Sequence, residues 1–228
     1  MSNNVMENVQ TNTDIVEVKE RSLLDKRELY INLKRGADIV ISSLALVVLL
    51  PFIAIISILI KIDSKGKVFY KQTRIGKNGK YFTIYKFRTM VSDANNFSKY
   101  FTKEQMEKYK INYKLDNDPR ITKMGKILRK TSLDELPQLI NILKGDLSII
   151  GPRPVVDGEI EKYGLNKNKL LSVTPGLTGN WAANGRSCTS YEERMQMELD
   201  YVENISFKMD MEIFFKTIIC VFKRKGAM

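Results

Sequence analysis

A long apolar segment interrupted by one proline constrains this chain more than any other feature. Residues Ile39 to Ile60, "IVISSLALVVLLPFIAIISILI", contain no charged side chain. A helix of about 20 apolar residues is long enough to cross a bilayer. The segment follows a long polar lead, which is not the pattern of a cleaved signal peptide. It therefore predicts a helix that lies in a membrane.

The proline and the flanking charges bear on how that helix meets the membrane. Pro51 removes one helical hydrogen bond and clashes with the preceding turn. A spanning helix carries its positive excess on one side only, but here both flanks are basic. The flanking cations are Lys34 and Arg35 before the segment and Lys61, Lys65 and Lys67 after it. This symmetry favours a re-entrant helix that bends near Pro51 and returns to the same face. A kinked span is the alternative, because membrane helices tolerate proline.

The composition changes along the chain predict four parts. Residues 1–20 are polar without a period, which predicts a disordered tail. Residues 21–35 place leucines among cations, which is typical of an amphipathic helix at a membrane interface. Residues 36–62 hold the re-entrant membrane helix, and residues 63–228 form a cytosolic domain.

The cytosolic part reads as a helix-rich α/β domain. Asn78-Gly79 lies between two β-rich runs and predicts a hairpin. "DLSII" predicts a short buried strand, and "TPGLTGNWAANGRS" a glycine-rich loop. The last helix is either a core helix or a second interfacial helix, since it is both amphipathic and basic. Helices are predicted at residues 97–113, 121–130, 136–143, 191–204 and 209–225.

The charge and the missing histidine limit the chemistry. A formal net charge of +11 indicates anionic partners: nucleic acid, a phosphorylated ligand or an acidic membrane face. The chain has no histidine, which excludes Ser-His-Asp and Cys-His machinery and histidine-bound zinc. Cys188 and Cys220 are too few for a disulfide framework. Any catalysis must therefore use carboxylates, lysine, tyrosine or a hard, oxygen-bound metal.

Five cations in turn-like or helix-end contexts are candidate phosphate ligands. No P-loop and no Gly-x-Gly-x-x-Gly turn after a strand is present, so phosphate binding would need side chains. Arginine suits this role because its planar fork binds phosphate through two donors. The alternative for each is a surface cation or a local ion pair. The candidates are Lys86, Arg88, Arg129, Arg153 and Arg186.

The adjacent carboxylates of "RKTSLDELPQ", Asp134 and Glu135, have two explanations. Ser132 and Glu135 fit a capping box at a helix start, where acids suit the positive end of the dipole. The other explanation is a reactive carboxylate among cations, because a carboxylate can attack phosphorus and form an acyl phosphate. Mg²⁺ would assist, since it binds to few carboxylates together with substrate phosphates. The two explanations are compatible.

Three blocks of this sequence together resemble one known family. They are the segment from Lys34 to Met90, "GKILRKTSLDELPQLINILKGDLSIIGPRP" and "TPGLTGNWAANGRS". They resemble the bacterial sugar transferase family, the monotopic phosphoglycosyl transferases, over roughly residues 30–225. The resemblance implies transfer of a sugar 1-phosphate from a UDP-sugar to polyprenyl phosphate, with release of UMP. It also implies Mg²⁺, a re-entrant helix, the cytoplasmic face of the membrane and a covalent phospho-sugar enzyme.

The same resemblance implies roles for the candidate residues. Asp134 would be the nucleophile, and Glu135 would assist through the metal or by positioning. Arg129 would hold the acceptor phosphate, and the remaining candidates would line the donor site: Lys86, Arg88, Arg153 and Arg186. The sequence departs from the family where Leu50-Pro51 replaces Ser-Pro and in "GNWAANGRS". It also has the small, catalytic-core form, without a four-helix membrane domain.

The expected partners are a UDP-sugar, polyprenyl phosphate and membrane lipid, with a second copy of the chain and other glycan-assembly enzymes as further candidates. A non-catalytic membrane scaffold of a polysaccharide assembly complex is the alternative function. The intact acidic pair and arginines speak against it. Nucleic-acid binding is not expected, because the cations are spread over turns and the apolar segment has no place in it.

Overall fold

The structure is a computed structural model that describes residues 2–112, 115, 117–185 and 189–223. Its helices are α1 (Ser2–Asp63), α2 (Phe97–Tyr100), α3 (Lys103–Asn112), α4 (Lys123–Thr131), α5 (Leu139–Lys144), α6 (Asp157–Ile160), α7 (Lys167–Leu170), α8 (Asn180–Asn184), α9 (Tyr191–Asn204) and α10 (Phe207–Lys223). Its strands are β1 (Phe69–Ile75), β2 (Tyr81–Phe87), β3 (Ser148–Ile150) and β4 (Gly176–Thr178). Turns of 3₁₀ helix lie at Lys77–Gly79, Leu133–Gln138 and Glu161–Asn166.

Helix α1 contains the whole apolar segment. The helix continues through Pro51 and extends back through the polar residues for which a disordered tail is predicted. The predicted boundaries at residues 20, 35 and 62 fall inside or at the end of this one element, and they stay predictions. By length and composition, the part from Lys26 to Asp63 is long and apolar enough to cross a membrane.

Both ends of the apolar part of α1 bind the remainder of the chain. On the N-terminal side, Arg35 donates to the carbonyl oxygens of Ile142 and Leu143, at 2.5 and 2.9 Å. These carbonyls belong to the last turn of α5, where that of Ile142 also accepts from the backbone N–H of Gly145. On the C-terminal side, the carboxylate of Asp63 accepts from the backbone N–H of Met124, at 3.0 Å. The helix is therefore anchored to one domain at both ends.

Between these anchors, α1 buries one face and exposes the other. Ile56 and Ile60 pack with Phe87 and Leu128 in a buried cluster. The opposite face is apolar and exposed, and no part of the chain that the structure describes covers it. The exposed residues are Ile39, Val40, Ile41, Leu44, Val47, Val48, Leu50, Phe52, Ile55, Ile58, Leu59 and Ile62. An uncovered apolar face of this size is typical of a membrane or protein contact.

The hairpin of β1 and β2 supplies one wall of the domain. The strands pair antiparallel from Phe69↔Phe87 to Ile75↔Tyr81. Asn78 and Gly79 adopt the left-handed conformation, with φ of 57° and 74°, as the predicted turn requires. The hairpin prediction is thus confirmed, although the loop between the strands is longer than two residues.

The parallel pair of β3 and β4 supplies the second wall. Ser148 pairs with Gly176, and Ile150 pairs with Thr178. A Cβ atom at Gly176 would lie 2.1 Å from the backbone nitrogen of Gly151, so only glycine permits this approach. The segment predicted as a glycine-rich loop is therefore largely β4 and α8. The coarse fold class, helix-rich with small sheets, is confirmed.

A buried carboxylate ties α1 to the C-terminal helices. Asp210, which is 2% exposed, accepts hydrogen bonds from Tyr30 and Lys34 of α1 and from Tyr201 of α9, at 2.5, 2.5 and 2.8 Å. Ile213 is buried in the same region, so one side of α10 belongs to the core. Its other side exposes apolar residues, which fits both predictions for this helix. They are Phe207, Phe214, Phe215, Ile218, Ile219 and Val221.

Candidate active site

A cleft lies where the two walls meet. Its lining comes from the hairpin, the 3₁₀ turn Leu133–Gln138, the turn after β3, the segment from β4 into α8, and α9. The lining residues that carry charge or an aromatic ring are Arg74, Lys86, Glu135, Arg153, Trp181 and Glu198. The cleft therefore brings together cations and carboxylates that are distant in the sequence.

The acidic pair lies on the 3₁₀ turn between α4 and α5. The predicted capping box of Ser132 with Glu135 does not form. Ser132 ends α4 in the left-handed conformation, with φ of 57°, and its side chain makes no capping hydrogen bond. The carboxylates therefore lie in the first turn of the 3₁₀ helix Leu133–Gln138, which leads into α5, without a side-chain cap from Ser132.

Asp134 is a half-buried carboxylate within an ionic cluster. Burial and the neighbouring charge of Glu135 raise its pKa to about 6, while Lys86 and Arg129 act in the opposite direction. Lys86 donates to Glu135 at 2.6 Å. At pH 7 a carboxyl group with this pKa is mostly ionised, so Asp134 is available as a nucleophile.

Arg129 is held beside Asp134 by a side chain from another part of the chain. Its Nε donates to Oγ1 of Thr89, at 2.9 Å. Burial lowers the pKa of Arg129, and the charges of Asp134 and Asp118 oppose this effect. The structure therefore brings together four of the predicted site residues: Lys86, Arg129, Asp134 and Glu135.

Arg153 lies further along the same cleft. Its guanidinium carbon is 5.4 Å from the centre of the Trp181 ring. Its Nε is buried and has no hydrogen-bond partner among the described residues. Burial lowers the pKa of Arg74, and the nearby charge of Arg153 lowers it further. Arg186, the remaining predicted arginine of the donor site, lies outside the residues that the structure describes.

Arg88 is placed differently from the other candidates. It is 8% exposed, and it donates to the carbonyl oxygens of Ser64 and Lys67, at 2.9 and 2.6 Å. It also donates to Oγ of Ser64, at 2.6 Å. These acceptors belong to the end of α1 and the turn after it, so the contacts are those of a helix cap. They do not support the substrate contact expected for Arg88.

The sequence interpretation missed a buried ionic pair behind Arg129. Arg120 binds Asp118 through two nitrogens, and its guanidinium lies over the rings of Phe97, Phe101 and Tyr109, at 5.1, 4.5 and 4.8 Å. The i, i+4 spacing of the two phenylalanines is a signal for this contact, and it lies within the segment 97–113, predicted as one helix. That segment is in fact two helices with aromatic contacts to Arg120.

The acidic pair fits a Mg²⁺ site only when substrate phosphates complete it. In the described part of the chain no group of three or more potential protein ligands converges. Mg²⁺ usually binds one or two carboxylates together with phosphates and water, and Asp134 and Glu135 supply such a pair. The charge of Glu135 raises the pKa of Asp134, and a bound cation would counter this repulsion.

Comparison with known proteins identifies a family for this chain. The family model described as bacterial sugar transferase matches residues 29–224. The chain is 43% identical over 197 residues to the exopolysaccharide production protein ExoY of Sinorhizobium fredii, covering 85% of this chain and 87% of that protein. It is 40% identical over 198 residues to the undecaprenyl-phosphate galactose phosphotransferase of Salmonella typhimurium, covering 86% of this chain and 41% of that protein.

The UDP-glucose:undecaprenyl-phosphate glucose-1-phosphate transferase of Escherichia coli is 37% identical over 204 residues, covering 86% of this chain and 41% of that protein. The family match spans the cleft, the acidic pair and the apolar helix together. The chain therefore belongs to the bacterial sugar transferase family and is a sugar transferase.

Proposed function

We propose that this enzyme transfers a sugar 1-phosphate from a UDP-sugar to polyprenyl (undecaprenyl) phosphate and releases UMP. The reaction would be the first membrane step of capsule, exopolysaccharide or glycan assembly. The names of the relatives support the two substrates. The observation that carries the proposal is Asp134, a half-buried carboxylate with a pKa of about 6 beside Glu135, Lys86 and Arg129.

The first step would form a covalent phospho-sugar enzyme. A carboxylate oxygen of Asp134 attacks the β-phosphorus of the UDP-sugar, and the bond from this phosphorus to the bridging oxygen breaks. UMP leaves with that oxygen and its electron pair. An acyl phosphate that carries the sugar remains on Asp134.

The second step would return the enzyme to its starting state. A phosphate oxygen of polyprenyl phosphate attacks the same phosphorus, and the bond to Asp134 breaks. The carboxylate is regenerated, and the product is a polyprenyl-diphosphate sugar. Arg129, which donates to Thr89 and lies near Asp134, would bind the acceptor phosphate.

The cations of the cleft would bind the charged parts of the donor. Lys86, paired with Glu135, and Arg153, with its unpartnered Nε, can each contact phosphate oxygens. Mg²⁺, held by Asp134 and Glu135, would neutralise the developing charge on the diphosphate when bound. No role is proposed for Arg88, because its donors are used at the end of α1.

The apolar part of α1 would enter the membrane and return to the cytoplasmic face. Arg35 on its N-terminal side and Asp63 on its C-terminal side both bind one domain. A straight helix rises about 1.5 Å per residue, so a straight span would separate these two residues by more than the hydrocarbon thickness. One domain on one face then cannot bind both ends, which supports the re-entrant arrangement.

Cysteine accessibility in sealed cells tests this topology. Gly36→Cys and Lys65→Cys are suitable because both positions are exposed and a Cβ at Gly36 meets nothing within 4 Å. Each would be introduced into a chain in which Cys188 and Cys220 are replaced by serine. We expect both to react with an impermeant maleimide only after the cytoplasmic side is opened. Labelling of one of them from outside would contradict the re-entrant arrangement.

Release of UMP tests the reaction. The enzyme in nanodiscs would be incubated with Mg²⁺ and a panel of UDP-sugars, with and without undecaprenyl phosphate. We expect turnover that requires the acceptor, and none in the Asp134→Asn variant. Transfer of radioactive sugar phosphate to the wild-type protein without acceptor would identify the covalent intermediate. A folded protein that releases no UMP with any donor would favour the non-catalytic scaffold.

A further inference from the structure

A second buried carboxylate lies in the wall of the cleft, on α9. Glu198 is 1% exposed and belongs to the cleft lining. Its Oε2 has no hydrogen-bond partner within the part of the chain that the structure describes. A Cβ atom at Gly179 would lie 3.8 Å from this oxygen, so Glu198 is packed directly behind the backbone of the β4–α8 segment.

Charged and titratable groups from three elements face Glu198. Arg153, in the turn after β3, acts on it through its backbone N–H and its charge, and Arg194 acts from α9 itself. Tyr163, from the 3₁₀ turn Glu161–Asn166, has a buried hydroxyl with no partner among the described residues. Burial raises the pKa of this hydroxyl, and the charge of Glu198 raises it further. The neighbouring part of β4–α8, at Gly179, contributes no charge.

The arginines around Glu198 are not fully satisfied by protein groups. Arg153 and Arg194 both lie over the Trp181 ring, at 5.4 and 4.9 Å. Nε of each, and Nη2 of Arg194, are buried without a partner in the described residues. Glu159 pairs with Arg74 and Arg194, at 3.5 and 3.3 Å. Glu198 forms no ion pair within 4.0 Å among the described residues, and Arg153 acts on it through a backbone N–H and through charge.

Opposing effects act on the protonation of Glu198. Burial raises its pKa to about 7, while the N–H of Arg153 and the two guanidiniums favour the ionised form. An anion that binds beside Arg153 adds negative charge in a site of low dielectric constant. This charge shifts the balance towards the protonated form.

We propose that Glu198 is a titrating residue of the donor subsite: it carries negative charge near Arg153 before the donor binds, and it takes up a proton when the donor diphosphate binds. The inference rests on the proposed function, since it assigns the anion to a UDP-sugar. The exchange keeps one negative charge near Arg153 in both states, because the charge of the ligand replaces that of the carboxylate. Donor affinity is then linked to pH through Glu198.

Binding measured against pH tests this linkage. The Asp134→Asn variant would be used, because it blocks turnover and removes the titration of Asp134. Trp181 is the only tryptophan, so its fluorescence reports binding in the cleft. The probes are UDP-galactose, UDP-glucose and sulfate, whose charges stay constant near neutral pH. Affinity for each probe should fall by up to about tenfold per pH unit above pH 7.

Two further variants test whether Glu198 is the group that makes the affinity depend on pH. In Asp134→Asn/Glu198→Gln the affinity should be independent of pH, and in Asp134→Asn/Glu192→Gln the pH dependence should be unchanged. Glu192 is an exposed glutamate on the same helix and is the matched control. A pH dependence that survives Glu198→Gln would overturn the inference.

Calorimetry keeps the test independent of whether Glu198→Gln folds. Binding to the Asp134→Asn protein near pH 7, in buffers of different ionisation enthalpy, should show uptake of part of a proton. Donor binding without proton uptake would overturn the inference and leave the proposed function intact. Sulfate binding with uptake, but no donor binding, would contradict the proposed function and, with it, the assignment of the anion to a UDP-sugar. A folded protein that binds none of the probes would overturn both.

Discussion

Lys86 and Glu135 form a 2.6 Å ion pair that joins the second strand of the hairpin to the turn carrying Asp134. Both side chains are partly exposed, at 21% and 31%, so this pair contributes less to stability than a buried one. Its position matters more than its strength. The ammonium of Lys86 lowers the pKa of Asp134, against the opposing effects of burial and of Glu135.

Replacing Lys86 should therefore change the pH profile as well as the rate. Lys86→Met removes a positive charge, so the pKa of Asp134 rises above about 6. The acid limb of the kcat/KM profile then moves to higher pH. The rate at its maximum should also fall about 10- to 100-fold, since a hydrogen bond to a charged group contributes about 1.5–3 kcal/mol. Lys77→Met, at an exposed position in the hairpin loop, should leave the profile unchanged.

Replacing Asp134 should remove activity and increase stability. The folded-state pKa of Asp134 is about 6, raised from the ordinary value, so ionisation costs folding free energy at pH 7. The folded state binds more protons than the unfolded state between the two pKa values, and stability falls as pH rises there. Asp134→Asn removes this cost, and a gain of about 1 kcal/mol would raise Tm by about 2–4 °C.

Calorimetric scans at pH 7 would check this stabilisation. Asp93→Asn is the control, because Lys99 and Tyr100 lower the pKa of the exposed Asp93 carboxyl. That substitution should not raise Tm. A lower Tm for Asp134→Asn would contradict the placement of Asp134 in a desolvating site.

Removing Arg120 should destabilise the segment behind Arg129. Arg120→Met leaves Asp118 buried without its partner, and breaking a buried pair costs about 3–5 kcal/mol. Arg120→Lys should also be costly, because an ammonium cannot bind the carboxylate through two planar donors. Urea unfolding would measure both. The double variant Asp118→Asn/Arg120→Met should recover part of the loss, and the absence of any recovery would argue against a specific pair.

Replacing Gly176 should disrupt the turn that carries Arg153. A Cβ atom at this position would lie 2.1 Å from the nitrogen of Gly151, so Gly176→Ala must separate β3 from β4. We expect a loss of several-fold in donor affinity together with a lower Tm. Gly158→Ala is the matched control, because its Cβ meets nothing within 4 Å and the residue lies in helix α6. Its Tm should stay the same or rise slightly.

Several elements were predictable because their signals are local. The left-handed pair Asn78-Gly79, the helix Tyr191–Asn204 and the strand at Ser148–Ile150 follow from residues that adopt these conformations with few alternatives. The acidic pair and the arginine of "GPRP" were also recognisable, because their motifs are continuous in the sequence. Glycine, proline and periodic apolar residues act over a few positions.

The contacts of each charged group were decided by the tertiary structure. Arg88 and Arg153 were both candidate phosphate ligands in the sequence. Only packing directs the first to the end of α1 and the second to the cleft. Ser132 likewise fits a capping box, but the end of α4 fixes it in a left-handed conformation that excludes the box.

The sequence by itself determined the apolar helix, the acidic pair and the family of this protein. The tertiary structure decided which groups share one environment, because desolvation and Coulomb interactions depend on distance in space and not along the chain. Glu198 shows this most clearly. It belongs to no motif, and it becomes a titratable group near neutral pH only where β3, β4 and α9 bury it beside Arg153.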